Sequence, residues 1–198
     1  GQWGSSLAFA GQMFGIDIEV FMVKVSFDQK PYRKLMMQSF GGTCHPSPSD
    51  LTDFGKKLLA EDPSNPGSLG IAISEAIEAV VKSEGKAKYA LGSVLGHVLL
   101  HQTINGNEAI LQMEQAGDYP DIIVGCTGGG SNLAGLMFPF LGQQLRGGQK
   151  IDIIGCEPLS CPSFTKGKYA YDHGDMARMT PLIKMHTLGS DFLPPANH

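Results

Sequence analysis

The passage over residues 121–156 constrains the fold more than any other. Ile122-Ile123-Val124-Gly125-Cys126 is a short apolar run, Gly128-Gly129-Gly130 interrupts it, a helical pattern fills about 131–146, Gly147-Gly148 closes that pattern, and Ile151 to Cys156 is a second apolar run. Short apolar runs bounded by breakers read as buried strands, and a helix between two such strands makes them parallel. The passage is therefore a βαβ unit. Strands this continuously apolar belong to a parallel sheet with helices over both faces, an α/β architecture of three layers.

The rest of the chain repeats the alternation. Residues 5–14 predict a helix with Leu7, Ala8, Ala10 and Phe14 on one stripe and Gly15 as its stop, followed by a buried strand from Asp17 to Val25. Lys30 to Phe40 predicts a helix with the Met36-Met37 pair in the core and a left-handed exit at Gly41-Gly42. Ser49 or Asp50 is the expected cap of a helix over 51–60. Ser68 is the expected cap of one over 69–83, with Ile73, Ile77, Val80 and Val81 on its apolar face. Lys88 to Leu91 reads as a short strand and 94–116 as a long helix. From 158 onward, through Pro194-Pro195-Ala196-Asn197-His198, the pattern is irregular. The turn-rich Asp62 to Gly67 passage and the helices after it suggest a smaller subdomain over 1–85 and a larger one over 86–198.

With 198 residues, 42% hydrophobic and 17% charged, the chain can bury a core. A net charge of −4 and scattered basic residues argue against nucleic acid as a partner. The sequence has neither an apolar stretch of bilayer length nor a signal-peptide pattern, so no membrane partner is expected and a cytoplasmic location is. Cys44, Cys126, Cys156 and Cys161 form no C-x-x-C pair and read as buried free thiols, Cys126 and Cys156 within strands.

The chemistry concentrates at the glycine run. A phosphate needs converging N–H donors, and consecutive glycines let the backbone approach while the following helix supplies unpaired amides and the positive end of its dipole. Ser131 and Asn132 add side-chain donors. The structural alternative is a tightly packed strand-to-helix connection. G-x-G-x-x-G does not occur, and no Gly-Lys-Ser or Gly-Lys-Thr follows the glycines, which disfavours dinucleotide and nucleotide sites. His97 and His101 share a helical face but lack a His-Glu-x-x-His pattern, so no metal is expected there.

Gly125-Cys126-Thr127-Gly128-Gly129-Gly130-Ser131-Asn132 and Gly155-Cys156-Glu157-Pro158 resemble the phosphate loop and following strand end of tryptophan synthase β chains, of the β-family (fold type II) of pyridoxal-phosphate enzymes. Gly1-Gln2-Trp3-Gly4 is similar to the second half of that family's substrate-carboxylate loop. Further likeness lies in Lys30-Pro31-Tyr32-Arg33, Pro46-Ser47-Pro48, Leu69 to Ala76 and Tyr89-Ala90-Leu91-Gly92-Ser93, so the resemblance covers essentially the whole chain. The His97 to His101 region and the Thr187-Leu188-Gly189 to Pro194-Pro195 tail look more like the second class of these β chains, called β-like.

The resemblance implies a pyridoxal-phosphate lyase that joins L-serine and indole into L-tryptophan by β-replacement. It implies cofactor binding by Gly128, Gly129, Gly130, Ser131, Asn132 and Glu157, with a monovalent cation a further expected ligand near Glu157. Substrate binding would fall to Gly1, Gln2, Trp3, Gly92 and Ser93. The family's catalytic glutamate and its cofactor-bearing lysine, in a His-Lys-x-Asn context, match nothing here, and none of the twelve lysines is nominated. The chain therefore reads as part of a longer polypeptide, inactive by itself. A homodimer is implied, with an α subunit as an open further partner. Two alternatives stand beside this reading: a serine or threonine dehydratase or other β-family enzyme, and a folded inactive fragment or phosphate-binding module.

Overall fold

The computed structural model describes residues 1–195, and the expected irregular end at Ala196-Asn197-His198 lies outside them. The chain forms two compact units: Gly1–Tyr89 together with the residues from Gly167 on, and Ala90–Lys166. The expected division at 85/86 falls near the first break, but the segment from Gly167 belongs with the first unit. Hydrogen bonding explains that difference. Met176 N donates to Gly70 O at 3.2 Å, and the Ser74 hydroxyl donates to the buried Asp175 carboxylate at 2.8 Å.

In the first unit the elements run α1 (Gln2–Phe14), β1 (Glu19–Val23), α2 (Lys24–Gln29), α3 (Pro31–Ser39), β2 (Thr43–Ser47), α4 (Asp53–Glu61) and α5 (Leu69–Lys82). Strands β1 and β2 are parallel, from Glu19 opposite Thr43 to Val23 opposite Ser47. Ala8, Met22, Met37 and Cys44 make the core, with Val20, Phe27 and Phe40 packed on it. Of the methionine pair only Met37 is interior; Met36 is 50% exposed. Gly15, at φ 67, ends α1 as expected, and Gly41 supplies the turn after α3 at φ 80. The expected strand to Val25 stops at Val23, where α2 begins.

Ser68 caps α5 by accepting from Ile71 N, as expected. Helix α4 is capped by Thr52, not by Ser49 or Asp50. The helix starts at Asp53, so Ser49 and Asp50 stand too far upstream to cap it; the Ser49 hydroxyl and amide instead donate to Glu75.

The second unit holds α6 (Gly96–Ala116), β3 (Ile122–Cys126), α7 (Ser131–Leu145) and β4 (Asp152–Cys156). Strands β3 and β4 pair in parallel, Ile122 with Asp152 through Cys126 with Cys156, which is the βαβ unit read from the sequence. Ile123, Phe140 and Ile151 form its core, and burying a side chain such as Phe140 contributes about 1.5–3 kcal/mol. Helices α6 and α7 approach backbone to backbone. A side chain at Gly106 would meet Leu136 O at 2.3 Å, and one at Gly135 would meet Gln102 Cβ at 2.5 Å.

Three expectations change here. Lys88–Leu91 form no strand, because extended backbone becomes a strand only where a neighbour pairs with it and none does among the described residues. The region after 158 is not wholly irregular: β5 (Lys168–Asp172) and β6 (Ile183–Thr187) pair antiparallel in the first unit. Cys126 and Cys156 are exposed, while Cys44 is buried. Among the described residues helices cover the Ile123 face of β3, and Ile122 at 54% and Val124 at 58% exposure lie on the face Cys126 shares.

Candidate functional site

After β3, Thr127 N donates to Cys156 O at 2.7 Å and extends the ladder by one residue. The backbone then leaves the sheet through Gly128-Gly129-Gly130, and Gly130 takes up the N-cap of α7 at φ 97 with no side-chain cap. Glycine adopts that conformation without the penalty a Cβ would bring. The first bond of α7 is Ala134 N to Gly130 O, at 3.0 Å. The amides of Ser131, Asn132 and Leu133 precede it and have no intrahelical acceptor. Among the described residues nothing accepts from the amides of Gly128, Gly129 or Gly130 either. A row of unpaired donors at the positive end of a 15-residue helix is an anion site by its physics.

Gly92, Ser93 and Val94 stand against this turn. A side chain at Gly129 would lie 2.1 Å from Ser93 Oγ and 2.8 Å from Val94 Cγ2, whereas at Gly128 and Gly130 it would meet open space. The turn is braced at its middle and open beside it. Ser131 Oγ lies 3.3 Å from Ser93 Oγ and 3.4 Å from Gly92 O, long for bonds between oxygens, so both hydroxyls can turn to a better acceptor. Val94 has φ 70, and Leu95 N donates to Ser93 O at 2.8 Å across it, which makes a γ-turn centred on a β-branched residue. Such a conformation costs about 1–3 kcal/mol and persists only where the surroundings enforce it. A glycine cradle, unpaired amides and two loosely bonded hydroxyls fit a phosphate monoester.

The second unit thus brings together Gly92, Ser93 and Gly128 to Asn132. Glu157 is spent differently: its carboxylate accepts from Phe164 N at 2.8 Å, Thr165 N at 2.9 Å and the Thr165 hydroxyl, closing the 158–165 loop. Gly1, Gln2 and Trp3 lie in the first unit, where Gly1 precedes α1 and Ser5 N makes the first bond, to Gly1 O at 3.1 Å. Trp3 is 40% exposed. His97 and His101 stand edge to face on exposed positions of α6, and among the described residues no group of three His, Cys, Asp or Glu is placed to hold a metal.

Several notable residues stand outside the sequence expectations. The Thr127 hydroxyl is buried with no partner among the described residues. A hydroxyl directly before the glycines was the available signal. Nothing in a valine announces a positive φ, so Val94 had none. In the first unit Asp175 is 1% exposed. Burial pushes its carboxyl up, but hydrogen bonds from the Thr180 amide and hydroxyl, Met179 N and Ser74 outweigh that and hold it below the ordinary range. Tyr89 is pushed up to about 12 by burial and then by the Asp175 charge, and its hydroxyl has no partner among the described residues.

Among curated relatives, tryptophan synthase beta chain 2 of Thermotoga maritima is 59% identical over 198 residues, all of this chain and 46% of that protein. Tryptophan synthase beta chain 2 of Aeropyrum pernix is 57% identical over all of this chain and 44% of its own length. The chain thus spans a little under half the length of the curated relatives it matches. Of solved structures, a threonine deaminase has TM-score 0.56 at 18% identity, covering 81% of this chain and 42% of that one. A cysteine synthase from Entamoeba histolytica has TM-score 0.54 at 22% identity, covering 96% and 46%. These two likenesses speak to the fold alone. Residues 1–191 match the family of pyridoxal-phosphate dependent enzymes, and the chain belongs to that family.

Proposed function

We propose that this chain is the central part of a tryptophan synthase β chain, which joins L-serine and indole into L-tryptophan with loss of water. One observation carries the reading: unpaired amides from Gly128 to Leu133, with the Ser93 and Ser131 hydroxyls beside them, in a chain similar throughout to tryptophan synthase beta chains. Pyridoxal phosphate, when bound, supplies the electron sink for replacement at the serine β-carbon. The residues of this chain grip and orient. The amides of Gly128 to Asn132 and the Ser131 and Asn132 side chains hold the phosphate. The amides at the start of α1, around Gly1, Gln2 and Trp3, hold the serine carboxylate by the same physics. Gly92 and Ser93 line the space for indole.

Glu157 supports the pocket indirectly through the loop it closes, and a monovalent cation near it belongs to the same proposal. Residues 1–85 supply a subdomain that closes over substrate and excludes water. A cytoplasmic homodimer, with an α subunit as a further partner, belongs to the same proposal. Among the described residues no helix is long and apolar enough to cross a membrane. Covalent attachment of the cofactor and proton transfer fall to residues outside this chain, so the isolated 198 residues should form no tryptophan.

The test is a product assay on the intact protein that carries this chain. With serine, indole and pyridoxal phosphate, most turnover should go to tryptophan. Pyruvate released equally with and without indole would replace the reading by a dehydratase. No change in visible absorbance on adding pyridoxal phosphate would end the enzyme reading altogether.

A further inference from the structure

We infer that Val94 is a positioning residue for the cofactor phosphate: its strained turn presses the Ser93 hydroxyl and its own methyl against Gly129 and so sets the spacing of the glycine turn. The inference deepens the cofactor reading proposed above and rests on it.

Were a tight turn all that was required before α6, glycine at position 94 would supply it without strain. Valine supplies something more, a methyl that packs beside Gly129, 2.8 Å from where a Cβ on that residue would stand. The same turn aims Ser93 Oγ at Gly129 and brings it within 3.3 Å of Ser131 Oγ. The scaffold holds the strain from both sides. Leu95 caps α6, with Val98 N and Leu99 N both donating to its carbonyl, and Val98 is buried. Helix α6 is locked to α7 at Gly106 and Gly135, so the turn before α6 and the turn before α7 cannot drift apart. An enforced outlier beside a row of unpaired donors is preorganisation: the donors are spaced before the anion arrives.

Binding and stability should therefore separate. In the intact protein, Val94→Gly should weaken pyridoxal phosphate about tenfold by equilibrium dialysis, the effect of mis-spacing about one charge-assisted hydrogen bond. The cofactor-free form should melt no lower than the unmutated protein, because glycine adopts a positive φ freely. Val94→Ile, which keeps the β-branched contact, should bind within about twofold of the unmutated protein. Pyridoxal, which lacks the phosphate, should bind all three proteins alike. Unchanged pyridoxal-phosphate affinity in Val94→Gly would overturn the inference. So would affinity and melting temperature falling together, or an equal loss for pyridoxal. An unmutated protein that binds no pyridoxal phosphate defeats the cofactor reading and this inference with it, whereas binding that ignores position 94 defeats this inference alone.

Discussion

The starts of α4 and α7 present the same chemistry and meet it in opposite ways. At α4, Thr52 accepts from Gly55 N, while the Glu78 carboxylate accepts from Asp53 N at 2.7 Å and Phe54 N at 3.0 Å. Thr52 is itself anchored, since its hydroxyl donates to Glu75, a fully buried carboxylate that also takes the Ser49 amide and the Ser47 and Ser49 hydroxyls. At α7 no side chain caps the helix and the preceding glycines leave their amides unpaired. Both regions obey the same requirement that backbone donors find acceptors. The first meets it from within the chain and becomes a structural joint. The second leaves it unmet and becomes a site.

The largest effect that could break this contrast is at Glu75. Glu75→Ala would strand buried hydroxyls and the Ser49 amide, and should cost about 3–5 kcal/mol in chemical denaturation. A cost below about 1 kcal/mol would mean that the hub is not the joint described. Gly129→Ala comes next. A Cβ there would lie 2.8 Å from Val94 Cγ2 and 2.9 Å from Ser93 Cβ, contacts that turning the Ser93 hydroxyl does not relieve, so the turn must move, and a displacement near an ångström should weaken pyridoxal phosphate about 100-fold. If the same change lowered stability and left affinity intact, the turn would be a packing device and not a site.

The smallest effect is at Glu78, and pH reveals it. Burial pushes its carboxyl up, but the Lys82 ion pair and the Asp53 and Phe54 amides outweigh this and hold it below the ordinary glutamate range. Its stabilisation is therefore complete above the unfolded-state value, roughly pH 4.3, and is lost as pH falls through the lower folded-state value. Stability against pH should fall more gently below about pH 4 in Glu78→Gln than in the unmutated protein. Identical acid limbs would show that the α4 start does not depend on this carboxylate.

Much of this was legible in the residues. Apolar periodicity and glycine punctuation placed most helices within a few residues, because those signals are local: Ser68 caps α5 and Gly15 ends α1 from their own backbone preferences. The cap of α4 is Thr52 and not Ser49 because the helix starts at Asp53, four residues beyond Ser49, and both hydroxyls donate to Glu75, so what separates the two is where the backbone turns helical. The hairpin of β5 and β6 escaped notice because pairing, not composition, makes a strand of Lys168–Asp172. The cysteines in β3 and β4 are exposed because, among the described residues, no second layer covers the face they share, and apolar neighbours in sequence do not say which face is covered.

The sequence by itself determined the βαβ passage and the anion-seeking turn within it, since three glycines between a strand and a helix leave the backbone few alternatives. Tertiary structure alone decided what stands against that turn. Ser93 meets Gly129, and Val94 stands at φ 70, where α6 and α7 interlock through Gly106 and Gly135. A residue's identity sets which conformations are cheap, but contacts between distant segments decide which costly one is enforced.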